Sequence, residues 1–159
     1  MTREDQKQRA LGFEQMSTNG LFKYCTGAID GIAMSTVALS RSKFLNQAQF
    51  HSGSKKKNCV NMQVVCDHTL RFLIISCQHT GCTNDAEAFD TSLLKEIIAR
   101  HFFPYHWVGD NAYTLTETMI VSFAGIDHLT QPQAFNFYQS QIRITIERAF
   151  GVFIRRQRK

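Results

Sequence analysis

A segment of alternating side chains, followed at once by an apolar segment, most strongly constrains how this chain folds. Apolar and polar residues alternate through residues 59–67, which is typical of a strand with one buried face. The apolar face carries Val60, Met62, Val64 and Cys66, and the opposite face carries Asn61, Gln63 and Asp67. Residues 71–78 are apolar almost throughout and predict a central strand. Because only the turn at residues 67–70 separates the two segments, we expect an antiparallel hairpin.

The region after this hairpin has the signals of a helix. Asn84 is a good N-cap residue, and Glu87 stands three positions further on, as a capping box requires. An apolar stripe at helical spacing then follows, formed by Phe89, Leu93, Ile97 and Ile98. The helix is expected to end within residues 100–103, since the position before Pro104 disfavours helical backbone.

The remaining patterns place strands and helices in alternation. Residues 22–30 predict a strand that ends near Gly31, and residues 1–20 predict a short helix or a polar lead-in segment. Further elements are predicted as a short strand over residues 105–110, a helix over 116–123, a short strand over 128–130 and an amphipathic helix over 136–156. This order predicts an α/β fold in which a mixed sheet is flanked by helices.

Length and charge limit the kind of protein this is. The chain has 159 residues, which fits one domain, and 43% of them are hydrophobic. Its formal net charge is +5, which suits a polyanionic partner and is also compatible with an ordinary basic protein. The N-terminal residues are too charged for a secretory signal, and no apolar run approaches the roughly 20 residues of a membrane span. We therefore expect a soluble protein without a membrane partner.

The cysteines favour a reduced protein. There are five of them, an odd number, with no Cys-x-x-Cys pair, and most fall in predicted strands. Buried free thiols of an intracellular protein are the simplest account. Cys77, His79 and Cys82 are close in sequence, but a fourth ligand for a structural zinc ion is not evident.

Three acidic residues stand in short phrases that indicate metal chemistry. Asp30 and Asp110 are expected at strand ends, and Glu147 is expected on the last helix. Carboxylates that are gathered without a positive partner repel one another and raise one another's pKa. A hard divalent cation such as Mg²⁺ relieves that repulsion and leaves room for a substrate phosphate. The three residues therefore indicate metal-dependent phosphodiester chemistry.

Five phrases in a fixed order carry a resemblance to a known family. They are Gly27-Ala28-Ile29-Asp30-Gly31; Asn61-Met62-Gln63-Val64-Val65-Cys66-Asp67; Gly81-Cys82-Thr83-Asn84-Asp85; Val108-Gly109-Asp110 with Tyr113; and Phe135-Asn136-Phe137-Tyr138 running on to Ile146-Glu147-Arg148-Ala149-Phe150-Gly151. Together, over residues 20–155, they resemble the catalytic domain of PIF/Harbinger-type transposases, which is a DDE superfamily endonuclease domain. One such phrase alone is weak, whereas five in order with compatible spacing are specific.

The resemblance implies a ribonuclease H-like fold and a catalytic triad. Asp30, Asp110 and Glu147 would be that triad and would hold the divalent metal, Mg²⁺ or Mn²⁺, as two ions. Asp30 is the implied shared ligand. The implied reaction is cleavage of DNA phosphodiester bonds, followed in a full transposase by strand transfer. The family also implies DNA as the partner and the nucleus as the location.

Each candidate residue also has a structural alternative. Asp30 and Asp110 stand in phrases where an aspartate also opens a turn. Glu147 lies one helical turn after Arg143, so its alternative role is a surface ion pair. Asp85 belongs to a family phrase and is a candidate supporting residue. Its alternative role is a charge in the first turn of a helix.

The chain departs from the family pattern at two positions and in its extent. Many relatives carry histidine where this chain has Ala33 and Asn84, and neither position belongs to the triad. Relatives usually also have an upstream helix-turn-helix region. We therefore expect a DDE endonuclease-like catalytic domain over residues 21–156, truncated at both ends, after a lead-in over residues 1–20 and before a basic tail over residues 157–159.

Basic residues are the candidates for contacts with DNA phosphates. They are Lys55, Lys56, Lys57, Arg155 and Arg156. Such contacts position a duplex without reading its sequence, so a separate DNA-binding partner protein would supply specificity. A solvated loop is the alternative for the three lysines. The alternative to an active endonuclease is a catalytically degenerate, transposon-derived module that binds DNA or protein.

Overall fold

The computed structural model describes residues 2–36, 51–52, 57–125 and 130–157. The helices are α1 (Arg3–Met16), α2 (Asp85–Asp90), α3 (Leu93–Ala99) and α4 (Thr130–Gln157), with a 3₁₀ turn at Thr18–Gly20. The strands are β1 (Cys25–Ser35), β2 (His51–Ser52), β3 (Lys57–Cys66), β4 (Phe72–Thr80), β5 (His106–Val108) and β6 (Met119–Ile120).

One mixed sheet organises these elements. Its spatial order is β4-β3-β1-β5-β6, and the short β2 pairs with the first residues of β3. Strands β4, β3 and β1 are antiparallel neighbours, whereas β1, β5 and β6 run parallel to one another. The arrangement confirms the predicted hairpin of β3 and β4. It also confirms the predicted α/β fold, a ribonuclease H-like mixed sheet flanked by helices.

Strand β3 lies between two layers of helices. One of its faces packs against α4 through Met62 and Val64. The other packs against α2 and α3 through Val65, and Asn61 and Gln63 on that face are only 6% and 1% exposed. The prediction of a half-buried strand is therefore wrong, because a helical layer covers the polar face as well.

Strand β4 lies at the edge of the sheet in the part of the chain that the structure describes. It pairs there with β3 alone, and its Ile75 side chain is 50% exposed. The prediction of a central strand is wrong. Its apolar run packs Leu73 and Ile74 against the core cluster that contains Phe89 and Leu94, which requires no second neighbouring strand.

The helix predicted after the hairpin begins as expected but is divided in two. Asn84 caps α2, since its side-chain oxygen accepts a hydrogen bond from the Glu87 N–H at 2.8 Å. The prediction of one continuous helix is wrong at Thr91 and Ser92. Their hydroxyls donate to carbonyl oxygens three or four residues earlier, at 2.7 and 2.9 Å, and so compete with the backbone hydrogen bonds of a helix.

The segment predicted as a helix over residues 116–123 contains β6 instead. This strand pairs in parallel with β5. The Thr116 hydroxyl accepts the Met119 N–H at 3.0 Å, which stabilises a local turn in place of a helical start. Of the strand predicted over residues 128–130, residues 128–129 lie outside the described residues and Thr130 is the first residue of α4.

Helix α1 is a folded part of the domain. Thr2 and Asp5 exchange hydrogen bonds of 3.0 and 3.1 Å in a capping box at its start. Phe13 is fully buried and packs in a cluster with Val108 and Ile142. A short helix was one of the two alternatives for residues 1–20, and that alternative is confirmed.

Helix α4 begins at Thr130, earlier than predicted. Pro132 lies in its first turn, where proline is tolerated because that N–H has no helical partner. Ile142, Ile146 and Phe150 are buried, which confirms the predicted apolar stripe. Within the described ranges, no helix is both long and apolar enough to cross a membrane.

All five cysteines lie within the described residues, and none of them forms a disulfide. Cys25, Cys59 and Cys66 are buried in the sheet, whereas Cys77 and Cys82 are exposed. The buried thiols thus act as small apolar core residues.

Gly27 provides a test of the close packing between β1 and its neighbours. A Cβ atom there would lie 2.7 Å from Trp107 Cε3 and 2.9 Å from the carbonyl oxygen of Cys66, and Trp107 is fully buried. Gly27→Ala is therefore expected to lower the free energy of unfolding by about 1–3 kcal/mol, measured by urea denaturation. Gly151→Ala is the control. It meets open space in α4 and should raise the free energy of unfolding by about 0.5–1 kcal/mol. Equal effects of the two substitutions would contradict the packing argument.

Candidate active site

Asp30 lies within β1, just beyond the point where the parallel neighbour β5 stops. Pairing of β1 with β5 ends at Ala28↔Val108, whereas pairing with β3 continues to Ser35↔Cys59. The prediction that Asp30 ends its strand is therefore wrong, as is the alternative that it opens a turn. Its position is still the carboxyl edge of a parallel pair, which is where open α/β sheets place their binding sites.

Asp110 follows β5 by two residues and opens a turn. Its Oδ1 accepts the Ala112 N–H at 3.0 Å, and its carbonyl oxygen accepts the Tyr113 N–H at 3.3 Å. Gln139 of α4 donates to the carbonyl oxygen of Gly109 at 2.6 Å and so ties α4 to the same turn. The turn-forming alternative for Asp110 is confirmed, and the turn lies beside the carboxyl edge of β1.

Asp30, Asp110 and Asp85 form one electrostatic cluster. The pKa of Asp30 is raised to about 6, chiefly by burial and then by the negative charges of Asp110 and Asp85. The Gly31 N–H donates to Asp30 Oδ1 at 2.8 Å and, like the Arg143 guanidinium, acts on the pKa of Asp30 in the opposite direction. Burial is thus the main reason why Asp30 resists ionisation.

Asp85 stands in the first turn of α2 and is held by two side-chain amides. Its Oδ1 accepts hydrogen bonds from Asn61 Nδ2 at 3.0 Å and from Gln63 Nε2 at 2.8 Å. It also packs closely against Gly31, where a Cβ atom would collide with its carboxylate. The first-turn alternative is therefore confirmed, and the same side chain contributes its charge to the cluster around Asp30.

Glu147 is paired with a neighbouring arginine in this structure. Its carboxylate pairs with Arg143 across 3.0 Å, one helical turn earlier on α4, and 48% of its side chain is exposed. The ion-pair alternative is confirmed as a contact, and the triad role of Glu147 stays a prediction. Among the residues that the structure describes, no group of three or more His, Cys, Asp or Glu side chains is placed to hold a metal ion.

The carboxylates fit a divalent cation in part. Asp30 and Asp110 offer the hard oxygen donors that Mg²⁺ and Mn²⁺ prefer. The raised pKa of Asp30 shows that burial and like charges disfavour its ionised form, and a cation would reverse that preference. Glu147, paired with Arg143, adds no third donor in this arrangement. In this structure Asp30 and Asp110 could therefore bind a cation, whereas Glu147 remains bound to Arg143.

An open cleft of about 550 Å³ lies on the Asp85 side of the sheet. Asn61 and Asp85 are among its lining residues. Ala33 and Asn84, the two positions at which many relatives carry histidine, line the same cleft.

The alternating pattern missed a buried polar network behind the carboxylates. Gln63 Nε2 donates to Asn61 Oδ1 at 2.9 Å, and Gln63 Oε1 accepts from the Tyr113 hydroxyl at 2.6 Å. Burial raises the pKa of Tyr113, and the neighbouring aspartates raise it further, so the phenol remains a hydrogen-bond donor. One sequence signal was present, because all three residues belong to phrases that resemble the family.

The structure describes three of the five basic residues that were predicted to contact phosphates. Arg155 and Arg156 are exposed in the last turn of α4. Lys57 is the first residue of β3. Lys55 and Lys56 lie outside the described residues.

A comparison with known families decides which family this domain represents. The family model described as DDE superfamily endonuclease matches residues 29–156. The chain belongs to this family. No curated protein and no solved structure matches it. Asp30, Asp110, Glu147 and Asp85 all lie within the matched range, so the DDE endonuclease part of the resemblance is confirmed, whereas the PIF/Harbinger subtype stays a prediction.

The raised pKa of Asp30 makes the stability of this DDE endonuclease domain depend on pH. Between about pH 4 and pH 6 the unfolded chain releases the Asp30 proton while the folded chain retains it, so this residue lowers stability as the pH rises. Asp30→Asn removes that loss. Without metal, it should raise the free energy of unfolding by up to about 3 kcal/mol at pH 7 and leave it nearly unchanged at pH 3.5.

Urea denaturation in EDTA at the two pH values measures this difference. Asp90→Asn is the control, because Asp90 is exposed and pairs with Lys95 at 2.8 Å. That variant should show no gain at pH 7. A gain for Asp30→Asn that is equal at both pH values would show that the ionisation of Asp30 is not its cause.

Proposed function

We propose that this DDE endonuclease domain is a metal-dependent DNA endonuclease of the PIF/Harbinger transposase type. Its triad is Asp30, Asp110 and Glu147, and its cofactor is a divalent metal, Mg²⁺ or Mn²⁺, bound as two ions. The observation that carries the proposal is the partly buried Asp30 carboxylate, with a pKa raised to about 6, near the charge of Asp110. Such a pair is costly to keep ionised without a cation. The proposed location is the nucleus.

The three carboxylates have different tasks in this proposal. Asp30 and Asp110 would hold the metal, with Asp30 as the shared ligand. When bound, the metal polarises a water or a DNA 3′-hydroxyl and neutralises the charge that develops on the phosphate. Glu147 would complete the site after its carboxylate leaves Arg143. Breaking that pair costs little, because a helical ion pair of this spacing contributes about 0.2–0.5 kcal/mol, and the bound metal would offset the added repulsion among the carboxylates.

A catalytically degenerate binding module is the second candidate function. The pairing of Glu147 with Arg143 favours it, and so does the presence of Ala33 and Asn84 at cleft positions where many relatives carry histidine. In this alternative the domain binds DNA or protein without cleaving a phosphodiester bond. A separate DNA-binding partner protein would supply sequence specificity in both cases.

Nicking of supercoiled plasmid separates the two candidates. With Mg²⁺ or Mn²⁺, the wild-type protein is expected to nick the plasmid. Asp30→Asn and Glu147→Gln should each lower the rate by more than the roughly 10–100-fold that loss of a supporting residue costs. Glu96→Gln is the matched control. Glu96 forms the same i, i+4 type of pair with Arg100 on α3, so its loss should leave nicking unchanged.

Metal binding is measured separately from cleavage in the same proteins. Mn²⁺ should raise the Tm of the wild-type protein, because a ligand that binds only the folded state stabilises it, and Asp30→Asn should abolish the rise. If wild type and variants are equally inert and all still bind DNA, the binding module replaces the endonuclease as the function of this chain.

Arg155 and Arg156 are proposed to contact DNA phosphates. Replacing both with Gln should weaken binding to all duplexes alike and reduce the slope of log affinity against log salt by about 1.8, since each contact contributes about 0.9. Fluorescence anisotropy over a range of NaCl concentrations measures the slope. The double variant Lys95→Gln and Arg100→Gln removes the same charge from α3 and should leave the slope unchanged. If the Arg155 and Arg156 variant keeps the wild-type slope, these side chains do not contact phosphates.

A further inference from the structure

The side-chain amide of Gln63 makes three hydrogen bonds in the interior. The residue is 1% exposed. Its Nε2 donates to Asp85 Oδ1 at 2.8 Å and to Asn61 Oδ1 at 2.9 Å, while its Oε1 accepts from the Tyr113 hydroxyl at 2.6 Å. Both amide hydrogens are therefore used. A rotation of the amide by 180° is excluded, because its oxygen would then face a carboxylate oxygen of Asp85.

This network joins three separate parts of the active site. Gln63 lies on β3, Asp85 lies at the start of α2, and Tyr113 closes the turn that Asp110 opens. Tyr113 is 4% exposed, and its ring packs edge-on against Phe89 of α2 with the centroids 5.2 Å apart. The ring is therefore packed in the interior, and the hydrogen bond from its hydroxyl to Gln63 connects the turn to β3.

The network also contacts the backbone next to both aspartates. Gly109 precedes one of them, and a Cβ atom there would lie 2.8 Å from Tyr113 Cδ2. Gly31 follows the other, and a Cβ atom there would lie 2.5 Å from Gln63 Nε2. At both positions glycine lets the backbone lie close to the network, because a Cβ atom would overlap with the side chains of the network.

We propose that Gln63 is a positioning residue that, through its hydrogen bond with Tyr113, fixes the Asp110 turn beside Asp30. Two carboxylates that repel each other move apart unless the segments that carry them are anchored. The buried hydrogen bond is that anchor, and it acts from behind the site without touching the metal. The effect on metal binding rests on the proposed function, whereas the fixing of the turn rests on these contacts alone.

Tyr113→Phe tests the inference, because it deletes one hydroxyl and keeps the buried ring. In the metal-free protein, ¹⁵N relaxation should show amide order parameters in residues 110–113 falling from about 0.85 to below about 0.6. Titration with Mn²⁺, followed by the electron paramagnetic resonance signal of the free ion, should show about tenfold weaker binding.

Gln63→Met deletes the same bond from the other side and should give at least the same changes. Adding Tyr113→Phe to Gln63→Met should then have almost no further effect, because both act through one bond.

Phe72→Leu is the control for a loss of stability alone. Phe72 lies on β4 and packs against Phe150 and Phe153 of α4, with ring centroids 6.0 and 5.3 Å apart. The variant should lower the Tm and leave both the order parameters of residues 110–113 and the affinity for Mn²⁺ as in the wild type.

Two results would overturn the inference. One is a turn that stays rigid in both Tyr113→Phe and Gln63→Met. The other is a loosened turn with unchanged affinity for Mn²⁺, since the hydrogen bond would then not prepare the site. If the wild-type protein binds no Mn²⁺, the proposed function fails, and the order parameters still decide whether Gln63 fixes the turn.

Discussion

The antiparallel pairing of β1 with β3 is the constraint on which the rest of the structure depends. Its register sets Asp30 opposite Val64 and Gly31 opposite Gln63. Since neighbouring residues of a strand point to opposite faces, Asp30 is directed to the side of the sheet that α4 covers, and Gly31 leaves space for Asp85 on the other side. A slip of one residue would exchange the two faces and separate the carboxylate from its neighbours.

Repulsion between carboxylates accounts for the separation of Glu147 from Asp30 and Asp110 in this structure. Asp30 and Asp110 already repel each other in a partly buried place, and a third carboxylate would add to that repulsion. Arg143 offers Glu147 a partner on the same helix, and its guanidinium also favours the ionised form of Asp30. One arginine therefore compensates two of the carboxylates without leaving α4. A divalent cation would compete with it for both.

The sequence predicted the features that depend on local pattern and missed those that depend on distant partners. The cap at Asn84, the hairpin of β3 and β4 and the stripe of α4 each arise within a few residues, and so does the pair of Arg143 with Glu147. The burial of Gln63 depends on Tyr113, 50 positions away, and nothing in the alternation of β3 reveals it. The edge position of β4 is likewise a property of its neighbours. The site itself was predicted from the resemblance of five phrases, because no spacing rule brings together carboxylates from such separate segments.

The proposed triad role of Glu147 is independent of the packing of α4. Its neighbours Ile146 and Phe150 hold α4 on the sheet, while the carboxylate itself is half exposed and contributes nothing to the core. Loss of this one side chain is therefore expected to leave the stability and the cellular abundance of the protein nearly unchanged. Chaperones and proteases act on unfolded protein, so they would not remove a folded variant of this kind. Inactive descendants of an endonuclease built in this way would therefore persist as intact folded domains, available for other uses.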